Sequence, residues 1–320
     1  MKKNKIAVVI PCFNVKNKIL QVISSIGPEV DHIYVIDDKC PEKSGIHVKN
    51  NSTDKRVKVI FSPINLGVGG AVMLGYKNTP KDVDVIVKID GDGQMDASLI
   101  MDFVRPIIIN EADYTKGNRF YDLEKIRSMP ILRIVGNTVL SFLTKASSGY
   151  WNIFDPNNGF TAIHAEIIRK LPFEKINNRF FFESDMLFRL NTLKAVVIDI
   201  PMEAIYGDEK SNLVIHKVFF PFLYHNFLNL IKRIFYNYYL RDMSIASFEL
   251  PIGILLLFFG LIFGSCQWMK SIEYNIPTSV GTVMIAVLPI IIGGQLLLSF
   301  IGYDINSVPR RPIHKPKHKL

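Results

Sequence analysis

Asp90, Asp92 and Gln94 stand at alternate positions in "VKIDGDGQMD", residues 87–96, after a short apolar run. If the backbone stays extended there, alternation directs all three side chains to one side. Two carboxylates and an amide oxygen that converge repel one another unless a cation sits between them. An all-oxygen set of this kind suits a hard divalent ion, Mg2+ or Mn2+. An EF-hand calcium loop is excluded, because the Gly it needs at its sixth position and the Glu at its twelfth are Met95 and Met101 here. On this stretch alone, a polar turn after a strand accounts for the residues equally well.

The elements that would position these residues can be read from the apolar pattern. β-rich runs recur at 6–10, 33–37, 57–61 and 85–89, and helical periodicity lies between them at 17–26 and 69–78. Strands alternating with helices predict βαβ units and a mainly parallel sheet. Ligands of such sheets bind beyond the carboxyl ends of the strands. The polar stretches to inspect are therefore "PCFN", "DDKCP", "SPINLGVGG" and "DGDGQ".

Past residue 210 the composition changes. Residues 219–240 place Phe220, Leu223, Phe227, Leu230, Ile234 and Tyr238 on one helical face and Asn226, Asn229, Arg233 and Asn237 on the other, with a break near the start at Pro221. Two charge-free stretches follow, 250–269 and 279–303, each about the length that crosses a bilayer core. Lys232, Arg233 and Arg241 flank the first, and Arg310, Arg311, Lys315, Lys317 and Lys319 follow the second. The positive-inside rule then sets both termini in the cytoplasm.

The net charge of +9 comes without the Arg-rich aromatic stripe or zinc-type spacing of a nucleic-acid binder, so a membrane surface is the expected charged partner and nucleic acid is not. Three cysteines without a C-x-x-C pair fit a reducing compartment.

The ordered series "IAVVIPCFNV", "IYVIDDKCPEKSG", "NLGVGGAV", "VKIDGDGQMD", "YTKGNRF", "DPNNGFTAI" and "FFESDMLFRL" resembles the family 2 glycosyltransferases. More narrowly it is similar to the dolichol-phosphate mannose synthase-like branch, which includes bacterial polyisoprenyl-phosphate glycosyltransferases with a C-terminal membrane hairpin. The resemblance covers residues 5–213. It implies an α/β GT-A fold, Rossmann-like with a mainly parallel sheet, a nucleotide-sugar donor, and a divalent metal at Asp90 and Asp92 with Gln94 beside them. It implies that Pro11, Phe13 and Asn14 line the nucleotide pocket, that Asp38 accepts from the base, and that Asp37 is a turn residue. Asn65, Gly67 and Gly69 would form a loop before a helix, where glycine permits close backbone approach and a helix N-terminus favours anions.

The resemblance further implies that Arg119 and Arg133 face the acceptor phosphate, and that Asp185, beside Glu183, is the acid able to act as general base, with Asp155 as its rival. Three departures stand out: Val15 where many members have Glu, "DDKCP" in place of Asp-Asp-Gly-Ser, and Ile205 or Tyr206 where relatives often carry Arg, leaving Lys210 for the acceptor loop.

The expected organisation is a GT-A catalytic domain over 1–212, amphipathic interfacial helices over 213–245, a transmembrane hairpin over 246–304 and a basic cytoplasmic tail over 305–320. The favoured expectation is an inverting transferase that moves a sugar to a polyisoprenyl phosphate at the cytoplasmic face. The alternatives are the same donor chemistry with a hydroxyl acceptor (a lipid-linked saccharide or glycerolipid) and a non-catalytic nucleotide-binding scaffold. A homo-oligomer is compatible with this partner set.

Overall fold

In the computed structural model, which describes residues 4–121, 131–203 and 215–315, the apolar runs become strands of one sheet. These are β1 (Ile6–Cys12), β2 (His32–Asp37), β3 (Val57–Phe61), β4 (Val85–Lys88), β5 (Tyr114–Asn118), β6 (Thr161–His164) and β7 (Val197–Pro201), in the order β3-β2-β1-β4-β6-β5-β7. β1 lies parallel between β2 and β4, β2 runs parallel to β3, and β5 runs parallel to β7. β6 is antiparallel to both β4 and β5. The sheet is therefore mainly parallel, and the carboxyl ends of β1, β2, β4 and β5 share one edge.

The helices are α1 (Ile19–Ser25), α2 (Ser44–Asn51), α3 (Gly67–Asn78), α4 (Ile100–Ile108), α5 (Ile131–Ser148), α6 (Ala165–Ile168), α7 (Phe182–Leu193) and α8 (Ile215–Phe235), then α9 (Ala246–Tyr274) and α10 (Val280–Asn306). Central strands read as unbroken apolar runs because helices cover both faces. Val8, Val35 and Val87 pack with Ile19 and Val22 of α1 and Phe103 of α4, whereas the alternate residues Val9 and Ile36 lie against α3. Phe103 stacks on Phe160 with ring centroids 3.9 Å apart, tying α4 to the strand that reverses direction. The edge strand β3 has no fully buried residue.

The chain divides into two compact units, Met1–Ile231 with Pro309–Leu320, and Lys232–Val308. In the first unit α8 runs unbroken through Pro221, where the sequence predicts a break; the proline sits early in the helix and removes a single amide hydrogen bond there. Its polar positions turn inward. Asn226 and Asn229 are buried, while Phe220, Tyr224 and Phe227 are 71%, 60% and 57% exposed. The amides are tolerated inside because they are bonded: Ser147 donates to Asn226 Oδ1 at 2.5 Å, and Asn229 Nδ2 donates to Asp185 at 2.9 Å.

The second unit holds α9 and α10, which are long and apolar enough to cross a membrane. They meet through the buried small residues Gly253, Gly260, Ala286 and Gly293. Arg233 forks onto Asp304 at 2.6 and 2.9 Å, and the Tyr238 hydroxyl donates to the same carboxylate. The described part of the basic tail is anchored within the first unit. Asp113, fully buried, accepts from the backbone of Val196, Ile313 and His314 and pairs with the His314 ring at 2.6 Å. His318, Ile205, Tyr206 and Lys210 lie outside the described residues.

Candidate active site

Each strand end on the shared edge delivers one group of polar residues. After β1, Phe13 is 44% exposed and Asn14 adopts a left-handed φ of 56°, with its backbone N–H on Cys40 Sγ at 3.1 Å. After β2, Asp37 takes the backbone N–H groups of Cys40 at 2.8 Å and Gly45 at 2.7 Å, so this carboxylate builds the turn. Burial foremost, with the Asp37 charge, pushes the Cys12 thiol up to about 12, which keeps it unreactive. Pro11, in β1, is half-buried.

Asp38 points the other way from Asp37. Its oxygens accept from Leu66 N at 2.6 Å and Gly67 N at 2.8 Å, and its backbone carbonyl accepts from Asn65 Nδ2. Gly67 and Gly69 are therefore not a loop ahead of the helix; they belong to the first turn of α3. Gly67 has φ +81°, and a Cβ there would lie 2.6 Å from the carbonyl of Asn178. Glycine at this point serves the close passage of the segment before α7.

The strand end that opened the sequence argument is a turn. β4 stops at Lys88, and Gln94 N donates to Asp92 Oδ1 at 3.0 Å. The premise of an extended backbone through Gln94 does not hold, because Gly91 and the Asx-type bond favour chain reversal. Asp90, Asp92 and Gln94 are all partly exposed at this turn.

Beneath the turn lies a polar row that crosses the sheet. Register places Lys88 opposite Thr161, Thr161 opposite Lys116, and Lys116 opposite Asp199. Cross-strand partners share a face, so two lysines and an acid line up inside the protein. Lys88 is 2% exposed, 2.8 Å from Asp90 Oδ1 and 3.6 Å from Glu183 Oε1. Burial lowers its pKa, but the charges of Asp90 and Glu183 outweigh that and leave it raised, so it stays an ammonium. Lys116 donates to the carbonyl of Asn158 at 2.5 Å, and burial brings it down to about 8.

Arg119, just past β5, forks onto Asp155 with Nε to Oδ2 at 2.7 Å and a terminal nitrogen to Oδ1 at 3.1 Å. The candidate for acceptor binding and the rival candidate for general base thus hold each other. Asp155 is buried, while the Arg119 side chain remains 35% exposed. Asp185, on α7, is buried with Oδ2 on Asn177 N at 2.8 Å and Oδ1 on Asn229. The acid of α7 that faces the β4 turn is Glu183, two residues earlier and on a different face. Arg133 falls in α5, and its side chain lies outside the described ones.

Asp199 yields a pH-dependent expectation. Burial raises its carboxyl to about 6, and Oδ1 has no hydrogen-bond partner among the described residues. A raised acid binds its proton more tightly in the folded state, so stability falls as pH rises from about 4 to about 6. Asp199→Asn is expected to stabilise the protein by about 2 kcal/mol at pH 7, with the gain gone below about pH 4. Thermal melts of detergent-solubilised protein across this range check it.

From the sequence, Lys88 and Lys116 have no named role, and Glu183 stands only as the neighbour of Asp185. A signal existed for the first: a lysine inside the apolar run "VIVKI" of a central strand is out of place unless something pairs with it. No cluster of three or more His, Cys, Asp or Glu stands ready for a metal among the described residues. The donors at the turn still fit Mg2+ or Mn2+, which take one or two carboxylates and complete their shell with waters and substrate phosphates.

Comparison with known proteins gives a consistent picture. The profile of Glycosyl transferase family 2 matches residues 7–172. A UDP-N-acetylglucosamine–dolichyl-phosphate N-acetylglucosaminyltransferase of Methanococcus voltae is 26% identical, with 65% of this chain and 88% of that one covered. A dolichol-phosphate mannosyltransferase of Pyrococcus furiosus is also 26% identical, over 56% of this chain and 51% of its own length. Among solved structures, glucosyl-3-phosphoglycerate synthase from Mycobacterium tuberculosis in complex with UDP superposes with a TM-score of 0.54 at 19% identity, covering 72% of this chain and 80% of that one. This last likeness is one of fold.

Proposed function

The chain belongs to glycosyl transferase family 2, and from that membership we propose that it transfers a sugar from a nucleotide donor to a polyisoprenyl phosphate at the cytoplasmic face of a membrane. The observation that carries this reading is the pairing of a family 2 domain with two apolar helices and an α8 whose aromatic face is turned outward. An outward apolar face with inward, bonded amides suits a helix lying in a membrane interface. Relatives named for dolichyl phosphate acceptors support the same acceptor class.

In this reading the donor lies along the ends of β1, β2 and β4. Phe13 and Asn14 line the base, and Asp38 holds Asn65, Leu66 and the first turn of α3 beside it. Asp90, Asp92 and Gln94 would hold Mg2+ or Mn2+, which supplies neutralisation of the charge developing on the nucleoside diphosphate. Arg119, its plane fixed by Asp155, aligns the acceptor phosphate. An oxygen of that phosphate attacks the anomeric carbon as the bond to the diphosphate breaks, with inversion. The phosphate is already ionised, so no proton need be removed.

A second reading keeps the donor and uses a hydroxyl acceptor. It is favoured by Glu183, a carboxylate that sits beside the β4 turn where a general base would serve.

Membranes containing the protein, incubated with a panel of labelled nucleotide sugars and extracted into organic solvent, test the proposal. The expected product is a labelled lipid whose sugar is released by mild acid, as a glycosyl phosphate requires. Label confined to water-soluble products would overturn it. The protein is also expected to fractionate with membranes, and a reporter fused after Leu320 should be active on the cytoplasmic side.

A further inference from the structure

The β4 turn and α7 bring Asp90 and Glu183 to one internal cation, on which the charge of Asp92 also acts. Lys88 Nζ lies 2.8 Å from Asp90 and 3.6 Å from Glu183, with the lysine only 2% exposed and the two acids 29% and 14% exposed. The space for the ammonium is made by Gly159, just before β6. A Cβ at that position would overlap Lys88 Nζ and lie 2.7 Å from Asp90 Oδ2. A flexible lysine held this way has one orientation, and so have the carboxylates it joins.

We propose that Lys88 is a positioning residue that fixes Asp90 and Glu183 in place and holds down the affinity of the β4 turn for a free divalent cation, so that the metal is retained only with the diphosphate of the donor. The proposal rests on the metal-binding reading of Asp90 and Asp92. A divalent ion approaching Asp90 meets a carboxylate whose charge is already offset by an ammonium at hydrogen-bonding distance, 2.8 Å. Like charges a few ångströms apart, screened by protein rather than water, repel strongly. The donor diphosphate adds negative charge that Lys88 does not offset, and the ion is then held between protein and nucleotide. Release of the nucleoside diphosphate would carry the ion away with it, clearing the site for the next donor.

The test is Mn2+ binding to the detergent-solubilised full chain, followed by the electron paramagnetic resonance signal of the free ion, with no nucleotide present. Lys88→Met and Lys88→Gln, the second keeping a hydrogen bond to Asp90, are expected to bind Mn2+ about tenfold more tightly or better than the unaltered protein. At saturating Mn2+ both should show a lower kcat, because Glu183 and Asp90 are no longer held. Damage to the fold would weaken binding; tighter binding is a result that damage does not give. Asp92→Asn, compared with the unaltered protein with a nucleoside diphosphate present, where Mn2+ is expected to be retained, separates the metal reading from the Lys88 proposal. If it binds Mn2+ like the unaltered protein there, the metal reading of the turn fails. If it loses Mn2+ while the Lys88 variants, without nucleotide, are unchanged or weaker, the Lys88 proposal alone is overturned.

Discussion

Asp92→Asn will reduce transfer on the order of a thousandfold, about 4 kcal/mol of lost transition-state stabilisation, while the protein melts at the same temperature. The substitution keeps the volume and removes one charge from the proposed metal site. The local turn survives, because Gln94 N donates to Asp92 Oδ1 and an asparagine offers the same acceptor. The loss is therefore chemical. Initial rates over a Mg2+ and Mn2+ series, with a thermal melt of each preparation, are the measurements. Raising the metal concentration should recover part of the rate, since the remaining ligands still bind weakly. Full activity of the variant in chelator would remove the metal from the mechanism altogether.

The parts of the fold legible in the sequence were those written in local apolar pattern. The run 57–61 is β3, the charge-free stretch 250–269 lies within α9, and the stretch 279–303 starts at the N-cap of α10. What escaped is set by partners distant in sequence. Asn226 and Asn229 read only as the polar face of an amphipathic helix, because a sequence cannot show that Ser147 and Asp185 wait to bond them. Their burial shows that this polar face is the inward one.

The same cause hid the division of labour on α7. Glu183 and Asp185 are two residues apart and chemically alike, and only the positions of Lys88, Asn177 and Asn229 give them different work. At the β4 turn the pattern misled for another reason. Alternation implies a common side only in extended chain, and the chain folds back after Lys88. His314, in the basic tail, bonds an aspartate two hundred and one positions away in sequence, a contact no local pattern could show.

The nature of the acceptor decides the order of effects among Arg119, Glu183 and Asp185. If it is a lipid phosphate, the nucleophile arrives as an anion, and its capture depends on a cation more than on a base. Arg119→Ala then costs roughly a hundredfold or more, because it removes the fork that aligns the phosphate. It also leaves Asp155 buried without its guanidinium, so a drop in melting temperature accompanies the loss. Arg119→Lys separates the two effects by keeping the charge and losing the fork; a raised KM for the lipid with a near-normal melt marks the binding role.

Glu183→Gln should cost less than Arg119→Ala under the same reading, since there is no proton to take. Asp185→Asn should appear mainly as instability. Its carboxylate accepts from Asn177 N and Asn229 Nδ2, and an amide can serve only one of them while setting its own N–H groups against the other. If the acceptor is a sugar or glycerol hydroxyl instead, Glu183→Gln becomes the most damaging of the three. Loss of a general base costs on the order of a hundredfold or more, with the rate recovering as pH rises and the hydroxyl ionises unaided. Initial rates at saturating donor and fixed metal, taken across pH, separate the two orders. A Glu183→Gln deficit larger than that of Arg119→Ala would retire the polyisoprenyl phosphate and leave the glycosyltransferase standing.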